Sequence, residues 1–365
     1  VKQVNPFVLT IVSFECLLGT GTMEWIPVWI RRFQTTCWIP FVLYAALSIV
    51  FAFLIFYVAR RLDGFSGCTV FDLCLGKRIG AFMNVGLAGA FVIYSARSLS
   101  LCAWLIHYAA LPYTPGIALI LLCLLTSSQL LHGGMDSLLR FQTALYWPAL
   151  VLAVLLLVVS FKNADFANLL PITIPANTST VQVFSSSLDL LPGLTLILVY
   201  LPIFLQYGIS PYRSLICYLW ASIGVIALNL LNLIIVLSVF GSFEGASLQW
   251  PILEIIRIQK MTGPLLERLD LIFLLTVIVC ITSAVNLSTY GAYRILAHYV
   301  DLRHRRSVAW LVLGLVLLAV IPGDFDFLDH AYADLFRFFE VLAFGSLPLI
   351  WLKRLAHPRN RRDTA

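Results

Sequence analysis

Apolar residues along this chain come in runs of membrane length, separated by short polar or Pro/Gly breaks. The runs predict ten helices across a hydrocarbon core about 30 Å thick, at roughly 7–30, 38–59, 81–110, 116–132, 138–160, 187–207, 214–240, 268–299, 307–321 and 329–352. No connection is long enough to hold a second core, so the chain reads as a single transmembrane domain over residues 1–365, with a short tail at 353–365. Two of the runs make poor helices. The first carries Gly19-Thr20-Gly21-Thr22 at its centre and Pro27 near its far end, and glycine and hydroxyl residues weaken a helix where it can least rely on water. The sixth begins with Asp189 and runs into Leu190-Leu191-Pro192-Gly193, followed by Tyr200-Leu201-Pro202, where each proline removes a backbone donor.

Breaks of this kind leave amides and carbonyls free in the middle of the membrane. Half-helix N-termini favour anions and half-helix C-termini favour cations, so a pair of broken spans suits a small zwitterion, an amino acid being the simplest. The candidate ligand-binding residues are therefore Gly19, Thr20, Gly21 and Thr22 in the first span, and Leu191, Pro192, Gly193 and Tyr200 in the sixth. Pro202 reads equally as a packing kink.

Two connections are too long for turns. Phe161–Ser186, with prolines at 171 and 175 and a Ser/Thr-rich tract, reads as a surface loop of extended character. Residues 241–267 contain Trp250-Pro-Ile-Leu-Glu-Ile-Ile-Arg257, a short amphipathic helix opened by proline, with Glu254 and Arg257 three apart. It can lie across one mouth of the bundle, or simply rest at the interface.

Composition fixes the surroundings: 61% of residues are hydrophobic, 12% are charged, and mean hydropathy is +0.94, as in an integral membrane protein. A net charge of +6 would suggest nucleic acid in a soluble chain, but here the basic residues sit mostly between spans. Most of the 24 fall on the side of the N-terminus, which places both termini in the cytoplasm. With no charged leader and cleavage site before the first run, insertion is expected through the spans themselves. The eight cysteines contain no CxxC pair and read as buried small hydrophobes.

Ionisable residues inside the runs have to find partners. Glu15 precedes the first break, Arg97 lies mid-way along the third span, and Arg337 and Glu340 stand three apart in the tenth; with Asp189 these are the candidates for coupling or structural ion pairs. A Glu15–Arg97 pair is the preferred expectation. No nucleophile–base pattern, HExxH arrangement or phosphate-cradling loop points to an enzyme, and no metal or cofactor is implied.

The Leu18-Gly-Thr-Gly-Thr22 break with Pro27, together with Trp250-Pro-Ile-Leu-Glu-Ile-Ile-Arg257 followed by Gly263-Pro-Leu-Leu-Glu-Arg-Leu-Asp270, resembles the B subunit of bacterial spore germinant receptors. This is the spore germination permease family of the amino acid/polyamine/organocation transporter superfamily. The resemblance implies an all-α membrane protein of leucine-transporter type, its ten helices arranged as inverted repeats of five (about 1–160 and 161–352) with helices 1 and 6 broken. It also implies A and C partner subunits in the spore inner membrane and nutrient-triggered germination. The two threonines in the break depart from members with a plain small residue or Gly-Ser there. Two functions follow: a receptor subunit that changes packing when an amino-acid-like nutrient binds, or a permease moving an amino acid with a proton taken by Glu15. A purely structural membrane protein, binding no small molecule, is the third.

Overall fold

The computed structural model describes residues 5–19, 21–61, 70–111, 113–170, 179–188, 192–258, 269–299 and 305–320, and beyond them 335, 337–339, 341–342 and 345–350. Among the described residues the regular structure is helical. The first span is two helices. Asn5 caps α1 (Pro6–Leu18) by accepting from Phe7 N at 3.0 Å, with proline in the first turn where its missing N–H costs nothing. Gly19 ends α1 at φ 47°, ψ −148°, and α2 (Gly21–Phe33) follows, with Pro27 inside it and Arg31 and Arg32 in its last turn.

The second span is α3 (Trp38–Arg61), and a short α4 (Val70–Leu75) leads into α5 (Lys77–Ala109), the third span. Spans four and five run together in α6 (Gly116–Ser160), where Gly134 leaves helical geometry at φ 71°, ψ −165°. After short 3-10 turns come α7 (Thr180–Leu188) and α8 (Pro192–Gln206), bent by 43° relative to each other. These two are the broken sixth span. It begins earlier than the sequence suggested, because Thr180–Ser186 is helix and not part of an extended loop. A reciprocal capping box explains this, with Ser179 N donating to Gln182 Oε1 at 3.1 Å and Gln182 N donating to Ser179 Oγ at 3.2 Å.

The remaining spans are α9 (Pro211–Ser247, kinked at Gly241), α11 (Leu269–Tyr299) and α12 (Arg305–Val320), with the short α10 (Pro251–Ile258) between α9 and α11. The tenth expected span falls on residues of which 335, 337–339, 341–342 and 345–350 are described, and these are helical.

α5 and α11 form the centre of the bundle. In their most apolar stretches 56% and 61% of residues are buried, against 17% in α6, which therefore turns most of its surface outward to lipid. Lipid tails give apolar side chains little reason to prefer protein, so close packing and polar stitches hold such helices together. Ser95 Oγ of α5 lies 2.7 Å from Ser288 Oγ of α11 and accepts from Thr289 Oγ1 at 3.1 Å. Ser127 Oγ of α6 donates to Asn286 Oδ1 at 2.6 Å. At one end of the bundle Asn84 Nδ2 donates to Tyr299 Oη (2.8 Å) and Asp72 Oδ1 (3.2 Å), and Tyr299 Oη donates to Asp72 Oδ2 (3.0 Å), tying α4, α5 and α11 into one knot. Replacing Asn84 with leucine is expected to cost about 0.5–1.5 kcal/mol, the net worth of the hydrogen bonds that the half-buried Asp72 and the exposed Tyr299 lose. A melting curve of the purified protein in detergent reads that loss.

Candidate functional site: the break in the first span

Gly19 occupies the critical position. Its positive φ is one that side-chain-bearing residues rarely adopt, and a Cβ there would stand 2.5 Å from Tyr94 Oη of α5. Gly193, in the first turn of α8, is packed backbone to backbone against the last turn of α1: a Cβ would lie 2.7 Å from Leu17 Cα and collide with the Cys16 carbonyl. The two broken spans therefore touch directly at their breaks, and only glycine allows it. Beyond Gly19 the first amides of α2 have no intrahelical acceptor, as at any helix start.

Two cavities open beside this break. The larger has about 90 Å³ open to water centres and is lined by Leu18 and Gly19, by Leu101 and Leu105 of α5, by α6, α9 and α11, and by Trp250, Ile252 and Ile256 at and on α10. At the roughly 30 Å³ that a water takes in the liquid, this is the room of about three molecules, the bulk of a small amino acid. Its walls are almost wholly apolar. Ser160 and Thr276 spend their hydroxyls on Leu156 O and Ile272 O of their own helices, whereas the Trp250 indole N–H is buried with no acceptor among the described residues. The smaller cavity, about 30 Å³, continues past Leu18, Gly19, Ala153, Leu228 and Cys280, which line both, to Glu15, Tyr146 and Ser283.

α10 covers the larger cavity. Ile252, Leu253, Ile255 and Ile256 are buried, and Arg257 pins the helix to α5, donating from Nη1 to Glu254 Oε1 at 3.0 Å and to Tyr108 Oη at 3.4 Å with its guanidinium 5.0 Å above the Tyr108 ring. Trp104 completes the contact, stacked on Tyr108 at 5.3 Å and tilted against Trp250 at 5.6 Å.

The expected site residues divide. Gly19 abuts Tyr94 and Gly193 abuts Cys16 and Leu17, Gly21 and Thr22 form the first turn of α2, and Pro192 opens α8. Thr20, Asp189, Leu191 and Glu340 lie outside the described residues. Tyr200 lines neither cavity: it is buried, and its Oη donates to Leu287 O of α11 at 2.7 Å while its ring stacks on Tyr290. The void thus lies on the α6, α9 and α11 side of the first span and not in the seam with α8, which the glycine contact closes. The expected Glu15–Arg97 pair is not formed. Glu15 faces α6 and α11, with Oε2 2.8 Å from Ser283 Oγ, and Ser283 Oγ is also 2.6 Å from Gln142 Oε1. Arg97 is buried in α5 and keeps interactions of its own, as does the half-buried Arg337. Gln142 escaped sequence reading, although a lone amide within the apolar run 138–160 is the kind of residue that marks an intramembrane site.

A bundle of apolar helices whose first and sixth members are broken and packed together at their breaks, with a covered cavity beside the first, is a transporter-type membrane core. The structure is similar to the crystal structure of MhsT in complex with L-phenylalanine, with a TM-score of 0.65 and 15% identity over 96% of this chain and 88% of that one; the fold is of leucine-transporter type. The family model described as spore germination protein (spore permease) matches residues 3–327, and the chain belongs to that family. Among its relatives are spore germination protein A2 of Bacillus subtilis (strain 168), 22% identical over 96% of both chains, and spore germination protein B2 of the same strain, 21% identical over 83% of this chain and 81% of that one.

Proposed function

We propose that this protein is the nutrient-sensing subunit of a spore germinant receptor, and that it takes an amino acid at the Gly19 break. The observation that carries this reading is the covered cavity at the break, mostly apolar, with the Asn232 amide and the Trp250 indole, whose N–H has no acceptor among the described residues, in its lining. A buried donor without an acceptor costs free energy that a ligand oxygen would recover. The ligand's charged ends meet the free main-chain groups of the broken span, and its side chain enters the apolar space beneath α10. That an MhsT structure holds L-phenylalanine within the same fold supports the class of ligand. Binding favours the packing in which α10 is seated, and the change passes to the A and C subunits through the surface that α10 presents. The location is the spore inner membrane with both termini cytoplasmic, the orientation that the basic residues favour.

Thermal shift of the purified protein across the common amino acids, sugars and nucleosides tests the reading. A saturating shift for one or a few amino acids is expected, about 2.7 kcal/mol at a hundredfold excess over Kd. No saturable shift from any of them would overturn it. Robust uptake of a labelled amino acid into liposomes under an imposed proton gradient, without partner subunits, would assign the chain to the permeases instead.

A further inference from the structure

Glu15, Ser283 and Gln142 make a cluster whose hydrogen count determines its protonation. Gln142 is fully buried, Ser283 is 2% exposed and Glu15 is 9% exposed. Gln142 Nε2 donates to the Ser283 main-chain carbonyl at 3.3 Å. A carbonyl can only accept, so the amide orientation is fixed and Gln142 Oε1 must be the atom 2.6 Å from Ser283 Oγ. The serine has one hydroxyl hydrogen, and this contact uses it. The 2.8 Å contact between Ser283 Oγ and Glu15 Oε2 then lacks a hydrogen unless the carboxyl group supplies one. A bare carboxylate would either set its lone pairs against those of the hydroxyl or take the serine's hydrogen and leave Gln142 Oε1 facing Oγ with nothing between them.

We infer that Glu15 is a proton-binding site, held as the neutral acid that donates to Ser283 Oγ, which donates in turn to Gln142 Oε1. The groups facing Glu15 supply no counter-charge. Tyr146 comes from α6, Cys280 from α11 and Leu228 from α9, with Cys16 next to it on α1, and no cation lines the cavity among the described residues. The proton is taken from water reaching the smaller cavity and bonds to one carboxylate oxygen, with no other bond changed. Its effect is mechanical: the neutral acid seats α1 on α6 and α11 immediately before the break, and loss of the proton undoes that chain of donors. The proton is thus a second ligand of the core, whether the chain acts as receptor or as permease.

Infrared difference spectroscopy of the full chain in nanodiscs, with no amino acid present, tests this. At neutral pH the wild type is expected to show the C=O stretch of a protonated carboxyl group, absent in Glu15→Gln, a variant that keeps an N–H donor toward Ser283 and so keeps the wild-type melting temperature. Ser283→Ala should retain the band but move it to higher frequency, because the acid loses its acceptor; this variant carries the test if Glu15→Gln does not fold. No protonated-carboxyl band in the wild type, or a band unmoved by both substitutions, would overturn the proposal. Since no nutrient is used, that failure is separate from failure of the receptor reading, which the ligand panel decides.

Discussion

Replacing Gly193 with valine is expected to remove most of the folded protein. The first turn of α8 lies on the backbone of α1, so a Cβ meets the Cys16 carbonyl and Leu17 Cα instead of a side chain that could swing away. Overpacking typically costs about 1–3 kcal/mol when side chains can adjust, and here two main chains must separate at the point where both helices are already interrupted. Alanine at 193 should fall within that range, and valine beyond it. Gly314→Ala in α12 is the control. Nothing stands within 4 Å of its Cβ position, and a glycine-to-alanine change inside a helix stabilises by up to about 1 kcal/mol. Size-exclusion profiles and melting curves of the three variants make the comparison. Wild-type behaviour of the valine variant would mean that the breaks do not pack together as described.

The two glycines also show what the sequence made legible. Glycine, hydroxyl residues and proline inside an apolar run are local signals, since they weaken a helix whatever surrounds them, and so the breaks near Gly19 and Pro192-Gly193 could be placed along the chain. Trp250-Pro251 gave the start of α10 for the same reason. What surrounds a break is not local. The face that α1 turns toward each neighbour decides whether Glu15 meets Arg97 or Ser283, and the spacing of residues 15, 97 and 283 along the chain says nothing of that face. Tyr200 looked like a pocket residue because it follows the sixth-span break, yet helix rotation points its hydroxyl at the Leu287 carbonyl. The early start of α7 was legible after all: Ser179 and Gln182 stand at capping-box spacing, a signal hidden by the Ser/Thr-rich composition around it.

The larger expected effect on function comes from Ala153. Its small side chain lines the junction of the two cavities, together with Leu18, Gly19, Leu228 and Cys280, so whatever fills this space must pass beside it. An indole at 153 projects into this void of about 90 Å³ and takes up the room of its roughly three waters. The unliganded melting temperature of Ala153→Trp is therefore expected to stay near wild type, while the ligand-dependent shift found in the nutrient panel disappears. Ala149→Trp is the sharper comparison: Ala149 lines the smaller cavity near Glu15 but not the larger one. It should leave much of the shift intact if the apolar part of the nutrient sits beneath α10, and abolish it if the nutrient sits beside Glu15. A full shift in both variants would move the binding site out of these cavities altogether, to the far side of the break where α1 meets α8. The pair of variants thus decides which face of the broken first span holds the nutrient.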